Sequence, residues 1–548
     1  MSLLCCPLHV ESAESVGEAL ERARAAFEQG AKLIEWRADL LAEEDAAVAV
    51  TSLRALIREC PLPCIVTIRP TWEGGMYGGS ETDRVSLIEA IGTSDDAPRY
   101  IDVELDAYRT SRNRRQKVNL AVDHDQQVRD VEPSLILSTH DFRGRPADLL
   151  QRVAAMASEP ACAVMKIAWM ARSLRDNLEV IDLLVERVKP TVAMCMGEFG
   201  LMSRVLAPKF GGLFTFAALE RGSESAPGQP TLDEMRKLYR FDRIGAPTRV
   251  YGIVGWPVGH SRSPHFHNDA FERAGFDGVY LPLPVPAEWE HFKATVGALV
   301  DHPRLDLRGA SVTIPHKAHC VRFVRERGGR VSALAAALGA ANTLIVDDDG
   351  LLVCANTDAP AAVAELARAL DIASGRFDGV RVAVLGAGGV ARAVAGGVAL
   401  AGGHAVVFNR EPVRAAELAA ELTAGLAALD RAQLDRCEIV ESPSDSVDMG
   451  TIVAGDAAVL TTERFDAFVN CTPVGMQGGP APDGNPLELL AGSAFTWERL
   501  RGAVVMDTVY APEITPLLRR AREHGARCVT GLAMFTEQAT RQSERWMR

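Results

Sequence analysis

The 548-residue sequence predicts an α/β protein: an N-terminal (β/α)8 barrel, then a two-lobed α/β region whose second lobe is a dinucleotide-binding fold. Three observations predict it. Residues 1–242 hold eight short apolar runs, most of them separated by amphipathic stretches, which is the arithmetic of a closed parallel barrel. The stretch 241–249 interrupts that alternation with Gly245 and Pro247. Beyond it, 381–391 is an apolar strand running into a glycine-rich turn and an alanine-rich helix, the opening of a dinucleotide-binding βαβ unit. On pattern alone, an open doubly wound sheet is the alternative for the first half.

The eight runs are 3–10, 32–38, 63–69, 100–105, 135–140, 163–168, 191–196 and 212–217, with helical periodicity clearest at 15–29 and 172–188. Residues 243–249 read as the linker between domains 1–242 and 250–548. A new strand begins at 250–255. The second domain divides into a lobe at 250–360, a dinucleotide lobe at 361–510 with its second strand at 404–408, and C-terminal helices at 511–548 that return to the first lobe. Gly386, Gly388 and Ala391 fill G-x-G-x-x-A, with Gly389 in the same turn.

A net charge of −13 and a pI near 5.5 argue against a nucleic-acid binder. The one basic cluster, Arg109, Arg112, Arg114, Arg115 and Lys117, is followed by Asp123, Asp125, Asp130 and Glu132 and reads as a solvated loop or helix face. Eleven cysteines without a paired framework suit reduced thiols in the cytoplasm. His265 and His267, or His316 and His319, lack a nearby Cys or carboxylate cluster, so no metal site is expected. The N-terminus lacks the pattern of a signal peptide, and the apolar stretch 382–408 is broken by glycines and Arg392.

Lys166 is the most informative residue. It sits in the run Ala163-Val-Met-Lys166-Ile-Ala-Trp169, where apolar neighbours would favour a neutral, nucleophilic amine. A lysine snorkelling to water from a strand end is the bland alternative. Side chains alternate faces along a strand, so Glu35, Arg37 and Asp39 share one face of the second run and point into a barrel. Arg69 ends the third run with Glu73 just beyond, His140 ends the fifth, and Arg204 follows the seventh. Charges at successive strand ends mark the catalytic mouth of a barrel. Lysine, histidine and arginines suit imine-assisted elimination on a small acid, and a class I aldolase would use the same lysine on the same fold.

Glu35-x-Arg37-x-Asp39, Arg69-x-x-x-Glu73-Gly-Gly, Ser138-x-His140-Asp-Phe, Lys166-Ile-Ala, Ser203-Arg204 and Ser225-Ala-Pro-Gly-Gln229 resemble type I 3-dehydroquinate dehydratases. The resemblance implies a TIM barrel without a cofactor. Lys166 would form the imine, His140 would act as general acid and base, and Glu73 would assist it. Arg204 would hold the carboxylate, and Glu35, Arg37, Arg69, Ser225 and Gln229 would surround the hydroxyls. The segment 108–133 is longer than the family usually has.

In the second half, Ser261-Arg-Ser263-Pro follows a strand. Thr313-Ile-Pro-His-Lys317, Ala341-Asn342-Thr, Asn356-Thr-Asp358, Asn470-Cys-Thr-Pro-Val-Gly-Met, Asp507-Thr-Val-Tyr510 and Gly531-Leu-Ala-Met534-x-x-x-Gln538 come later. Read without the resemblance, Ser263 could simply cap a helix and Lys317–Asp358 could be a surface ion pair. In this order the motifs resemble shikimate dehydrogenases. The resemblance implies that Ser261, Ser263, Thr313, Lys317, Asn342, Asp358, Tyr510 and Gln538 bind substrate, with Lys317 and Asp358 as the catalytic pair, and that Met534 lies at the cofactor. Departures are Ser311 for the usual Asn, Ala355 for Gly, and a last helix that stops near Trp546. The second dinucleotide-lobe strand ends Phe408-Asn409-Arg410 with Arg414 beyond and no acid at its tip, so Asn409, Arg410 and Arg414 point to NADP(H). Glu411 is the counter-argument.

Together the halves look like the fused dehydratase–dehydrogenase enzymes of plants, acting on 3-dehydroquinate, 3-dehydroshikimate and shikimate, with neither nucleic acid nor membrane as partner. Two alternatives stay open: a catalytically inactive quinate-type regulator, and a quinate/shikimate dehydrogenase fused to an aldolase-like barrel.

Overall fold

The computed structural model describes residues 2–123, 132–437, 439 and 449–548; Asp125, Asp130 and the centre of the 108–133 segment lie outside the described residues. By contacts the chain divides into two compact units. The first comprises Met1–Val250 together with Asp277–Val285 and Thr295–Asp306, and the second comprises the remainder. No described helix is long and apolar enough to cross a membrane.

The first 242 residues form an eight-stranded parallel sheet. Its strands are β1 (Leu3–His9), β2 (Leu33–Arg37), β3 (Cys64–Thr67), β4 (Tyr100–Glu104), β5 (Ser134–Asp141), β6 (Cys162–Met170), β7 (Thr191–Met196) and β8 (Phe214–Phe216). They pair in chain order from β1 to β7, and β8 returns to β1. Leu213 N donates to Thr191 O at 2.9 Å, which draws the start of β8 to β7 and closes the barrel. Period-two alternation stacks the interior. Cys5, Leu33, Ile65, Ile136, Val164, Val192 and Phe214 make an apolar floor. Two residues further along each strand the same face carries Glu35, Thr67, Ser138 and Lys166 above that floor, with Asp102 on β4. The extension after β4 folds as the helices Leu105–Thr110 and Arg112–Val122. Lys117 reaches Ser86 Oγ at 2.9 Å and Glu89 at 3.3 Å, so this part of the extension packs on the helix Glu81–Gly92, and Arg115 pairs with Glu159 at 2.7 Å.

Two further six-stranded sheets follow. The mixed sheet contains β9 (Arg249–Gly255), β10 (Gly278–Pro284), β11 (Leu307–Val312), β12 (Arg330–Val331), β13 (Thr343–Val346) and β14 (Leu352–Ala355). Its order is β10-β9-β11-β13-β14-β12, with β13 antiparallel to both neighbours. The parallel sheet contains β15 (Arg381–Leu385), β16 (His404–Phe408), β17 (Ile452–Ala454), β18 (Ala467–Asn470), β19 (Val504–Asp507) and β20 (Arg527–Val529). Its order β17-β16-β15-β18-β19-β20 reverses direction between β15 and β18, the switch point at which such sheets bind ligands. Val382, Val384, Ala405 and Val407 face one core, while Ala383, Leu385, Val406 and Phe408 face another. These strands are apolar throughout because both faces are covered.

Candidate active sites

In the first unit the charged strand ends converge on one cavity. It is lined by Glu35, Arg37, Arg69, Glu73, His140, Lys166, Arg204 and Ser225, with Phe142, Phe216 and the methionines 194 and 196 as apolar walls. Lys166 is buried at 5% exposure, and its Nζ lies 2.8 Å from Asp102 Oδ2 and 3.1 Å from Glu35 Oε1, above the Phe216 ring. The expected apolar setting for the amine is therefore corrected. Alternation turns Met165 and Ile167 to the opposite face of β6, and Nζ enters a ring of carboxylates as an ion pair.

Around it the groups brace one another. Glu35 Oε1 also accepts from Thr67 Oγ1 at 2.9 Å. Arg37 pairs with Asp39 at 2.7 Å, and Asp39 accepts from the backbone of Arg69 and Met76. Arg69 reaches Asp102 at 2.9 Å, Glu104 at 2.6 Å and Ser138 Oγ at 2.7 Å. Burial alone would raise the Asp102 pKa, but Arg69 and Lys166 outweigh it and hold the carboxylate well below its ordinary range. Glu73 Oε1 accepts from the His140 backbone N–H at 2.7 Å and lies 3.0 Å from His140 Nδ1. Burial pushes the Glu73 carboxyl up to about 8. Burial, with Arg69 and Lys166 nearby, drives the His140 imidazolium pKa well down, so the ring rests neutral.

Arg204 differs from the other cations. It is buried at 1% exposure, its Nη1 contacts only the sulfur of Met194 at 3.3 Å, and Nε and Nη2 have no partner among the described residues. Burial pulls its pKa down to about 10. A desolvated guanidinium with no carboxylate partner among the described residues keeps its donors free. Gln229, expected among the hydroxyl ligands, does not line the cavity. Its Oε1 accepts from Ser225 N at 2.9 Å and lies 3.2 Å from Ser225 Oγ, so it shapes the loop that carries Ser225. Gly228, at φ +73°, packs so tightly on the Gly197 backbone that a Cβ would lie 2.3 Å from the Gly197 carbonyl oxygen, which anchors the same loop.

In the second unit Lys317 Nζ meets Asp358 Oδ2 at 2.6 Å, both buried, which excludes a surface pair. Asn342 Nδ2 donates to Asp358 Oδ1 at 2.9 Å, to Thr357 Oγ1 at 2.9 Å and to Gln538 Oε1 at 3.2 Å. Ser261 Oγ accepts from Ser263 N at 3.2 Å, and the helix from Ser263 has no side-chain cap, so Ser263 is not spent on capping. Burial raises the Tyr510 pKa, and a hydrogen bond with Ser261 works against it. Thr313 is half-buried, held by Thr313 N to Val254 O at 2.9 Å.

Two further side chains are held within the fold. Ser311 donates to Gln542 Oε1 at 2.7 Å and so ties β11 to the last helix. Met534 packs into the apolar core of the parallel sheet, because its position one turn into the helix Gly531–Trp546 faces that core.

The nucleotide turn fits a dinucleotide. Gly386 has φ +116° and its missing Cβ would lie 3.0 Å from Thr472; Gly388 faces open space, and a Cβ at Gly389 would meet Lys317 at 3.1 Å. These glycines leave backbone accessible at the start of the helix Gly389–Leu400, where a pyrophosphate is bound in such folds. Ala391 is fully buried against the sheet. At the tip of β16, Asn409 Oδ1 accepts from Glu411 N at 2.9 Å. Glu411 pairs with Arg414 at 3.0 Å, not with Arg410, which is exposed and has no ion-pair partner among the described residues.

Several site residues escape a motif reading: Asp102, Glu104 and Thr67 in the barrel. The signal for two of them is present, since Asp102 and Glu104 alternate on one face of an apolar strand just as Glu35 and Arg37 do.

A family model for type I 3-dehydroquinase matches residues 4–246, one for the shikimate dehydrogenase substrate binding domain matches 253–344, and one described as NADP oxidoreductase coenzyme F420-dependent matches 381–440. The chain is 34% identical over 558 residues to the chloroplastic bifunctional 3-dehydroquinate dehydratase/shikimate dehydrogenase of Arabidopsis thaliana, covering 99% of this chain and 81% of that one. It is 38% identical over 306 residues to the NADP(+) shikimate dehydrogenase of Rhodospirillum rubrum, covering 55% of this chain and 93% of that one. It is 34% identical over 227 residues to the 3-dehydroquinate dehydratase of Methanosarcina barkeri, covering 40% and 89%.

Proposed function

The chain belongs to the family of bifunctional 3-dehydroquinate dehydratase/shikimate dehydrogenases, and from that premise we propose how its side chains divide the two reactions. The barrel dehydrates 3-dehydroquinate to 3-dehydroshikimate, and the second half reduces that ketone to shikimate with NADPH. The observation that carries the assignment of residues is a buried lysine and a buried, unpaired guanidinium in one cavity: one to form a bond, the other to hold a carboxylate.

In the barrel, Lys166 gives up its ammonium proton to attack the ketone, and that proton returns to the departing carbonyl oxygen. The carbonyl oxygen leaves as water and the iminium draws electrons from the adjacent carbon. Hydrogen bonding of Nδ1 to Glu73 leaves Nε2 of His140 as its basic nitrogen, able to remove the proton on that carbon. The same proton then assists departure of the hydroxyl as water, and hydrolysis of the imine frees Lys166. Arg204 binds the carboxylate, and Glu35, Arg37, Arg69 and Ser225 fix the hydroxyls.

In the second half, Lys317 donates a proton to the ketone oxygen while Asp358, held by Asn342, keeps the ammonium oriented. Ser261, Ser263, Thr313, Tyr510 and Gln538 hold the substrate. Bound NADPH supplies the reducing equivalent. Gly386, Gly388 and Gly389 would hold its pyrophosphate, and Asn409, Arg410 and Arg414 its 2′-phosphate, Arg414 on leaving its pair with Glu411. The cytoplasmic setting expected from the cysteine pattern belongs to the same proposal.

The test is one coupled assay. Addition of 3-dehydroquinate and NADPH should consume NADPH, and borohydride added during turnover should fix ligand mass to the Lys166 peptide. An unmodified Lys166 peptide in an active enzyme removes the imine assignment.

A further inference from the structure

Arg84 stands outside the catalytic cavity, on the helix Glu81–Gly92, yet its side chain is fully buried. Its Nη1 donates to Ile68 O at 2.8 Å, and its Nη2 lies 2.8 Å from both Glu81 Oε2 and Glu104 Oε2. Glu104 faces Arg69 at 2.6 Å, Arg69 faces Asp102 at 2.9 Å, and Asp102 faces Lys166 at 2.8 Å. Charges thus alternate from the helix to the reactive amine, and Arg84, Glu104, Arg69, Asp102 and Lys166 are all buried. Solvent screens such a string weakly, so a charge removed at one end is felt at the other.

We propose that Arg84 and Glu104 are positioning residues of the dehydratase which set, through Arg69 and Asp102, how readily Lys166 gives up the proton it must lose to attack the ketone. The inference rests on Lys166 being the imine-forming amine. Arg69 is shared between two carboxylates. Arg84 neutralises part of the charge on Glu104 and leaves Arg69 available to Asp102. Without the Arg84 charge, Glu104 draws on Arg69 alone, and Asp102 holds the ammonium harder. Without the Glu104 charge, Arg69 turns wholly to Asp102, and the ammonium is held less. The two losses act with opposite sign. Lys166 also interacts with Glu35 from β2, His140 from β5 and Cys5 from β1, and none of these is substituted in the test.

The test uses the full chain as wild type, Arg84→Met, Glu104→Gln and the double variant. The rate at which cyanoborohydride fixes 3-dehydroquinate to the Lys166 peptide is followed against pH, with thermal melts to count folded protein. The acid limb of that profile should move up by about half a pH unit or more in Arg84→Met, down by a similar amount in Glu104→Gln, and return near wild type in the double variant. A merely structural role lowers the folded fraction and leaves the limb in place. That result, or shifts of the same sign, overturns the proposal. Should Arg84→Met not fold, Glu104→Gln decides by its sign: a downward shift supports the proposal, and no shift or an upward one refutes it. Absence of fixation on Lys166 in the wild type overturns instead the assignment of Lys166 itself.

Discussion

Burial without a partner is the signature of Arg204, and it sets function against stability. The guanidinium is desolvated and, among the described residues, hydrogen-bonds only a methionine sulfur. Replacing it by Met removes an uncompensated buried charge, so the melting temperature of the barrel should rise, while kcat/KM for 3-dehydroquinate should fall by about 10- to 100-fold, the worth of a charged hydrogen bond. A loss of stability together with unchanged kinetics would contradict this role. Glu73 makes a second case. Burial raises its folded pKa from an ordinary carboxylate value to about 8. Its contribution to stability is therefore full below about pH 4.5 and is lost as pH rises through about 8. Glu73→Gln carries no such loss. Melts of the variant and wild type should converge near pH 4.5 and separate in favour of the variant by a few degrees at pH 9.

At the scale of the element, strand parity does most of the positioning. On β2 and β6 the same two-residue repeat puts Glu35, Arg37 and Lys166 inside the barrel and Trp36, Met165 and Ile167 outside it. A sequence shows this parity directly, which is why the converging charges could be read from it. It does not show which inner groups touch. Lys166 looked apolar because its chain neighbours are apolar, whereas its spatial neighbours, Asp102 and Glu35, come from strands some 60 to 130 residues away. The tip of β16 shows the same limit. Adjacency in the chain set Glu411 against Arg410, but the helical turn places Glu411 on Arg414, three residues on. Arg410 is thereby left without Glu411 as a partner, as the proposed contact to a 2′-phosphate requires. Arg410→Ala should raise KM for NADP by about 10-fold or more with little change for NAD. An unchanged NADP-to-NAD ratio would remove Arg410 from the cofactor site.

Over the whole molecule, the two reactions share a chain because the product of one is the substrate of the other. The contact division gives the first unit Asp277–Val285 and Thr295–Asp306 as well as Met1–Val250. A fragment spanning only residues 1–242 lacks those segments. It should still fix 3-dehydroquinate on Lys166, because the cavity is built within the barrel, but should melt a few degrees below the barrel of the full chain. An equal melting temperature would show that those segments add nothing to the first unit.

The sequence alone determined the architecture, because strand count, glycine spacing and apolar periodicity are local properties repeated along the chain. It also determined the chemical identity of the groups at each strand end. Tertiary structure alone decided which charges meet. Asp102, Glu104 and Arg84 join Lys166 and Arg69 in one buried string, Ser311 is spent on Gln542, and Arg204 has no carboxylate partner among the described residues. Those outcomes depend on closure of the barrel and packing of distant segments, and burial there turns distances of about 3 Å into energies that exposed pairs of the same residues would lack.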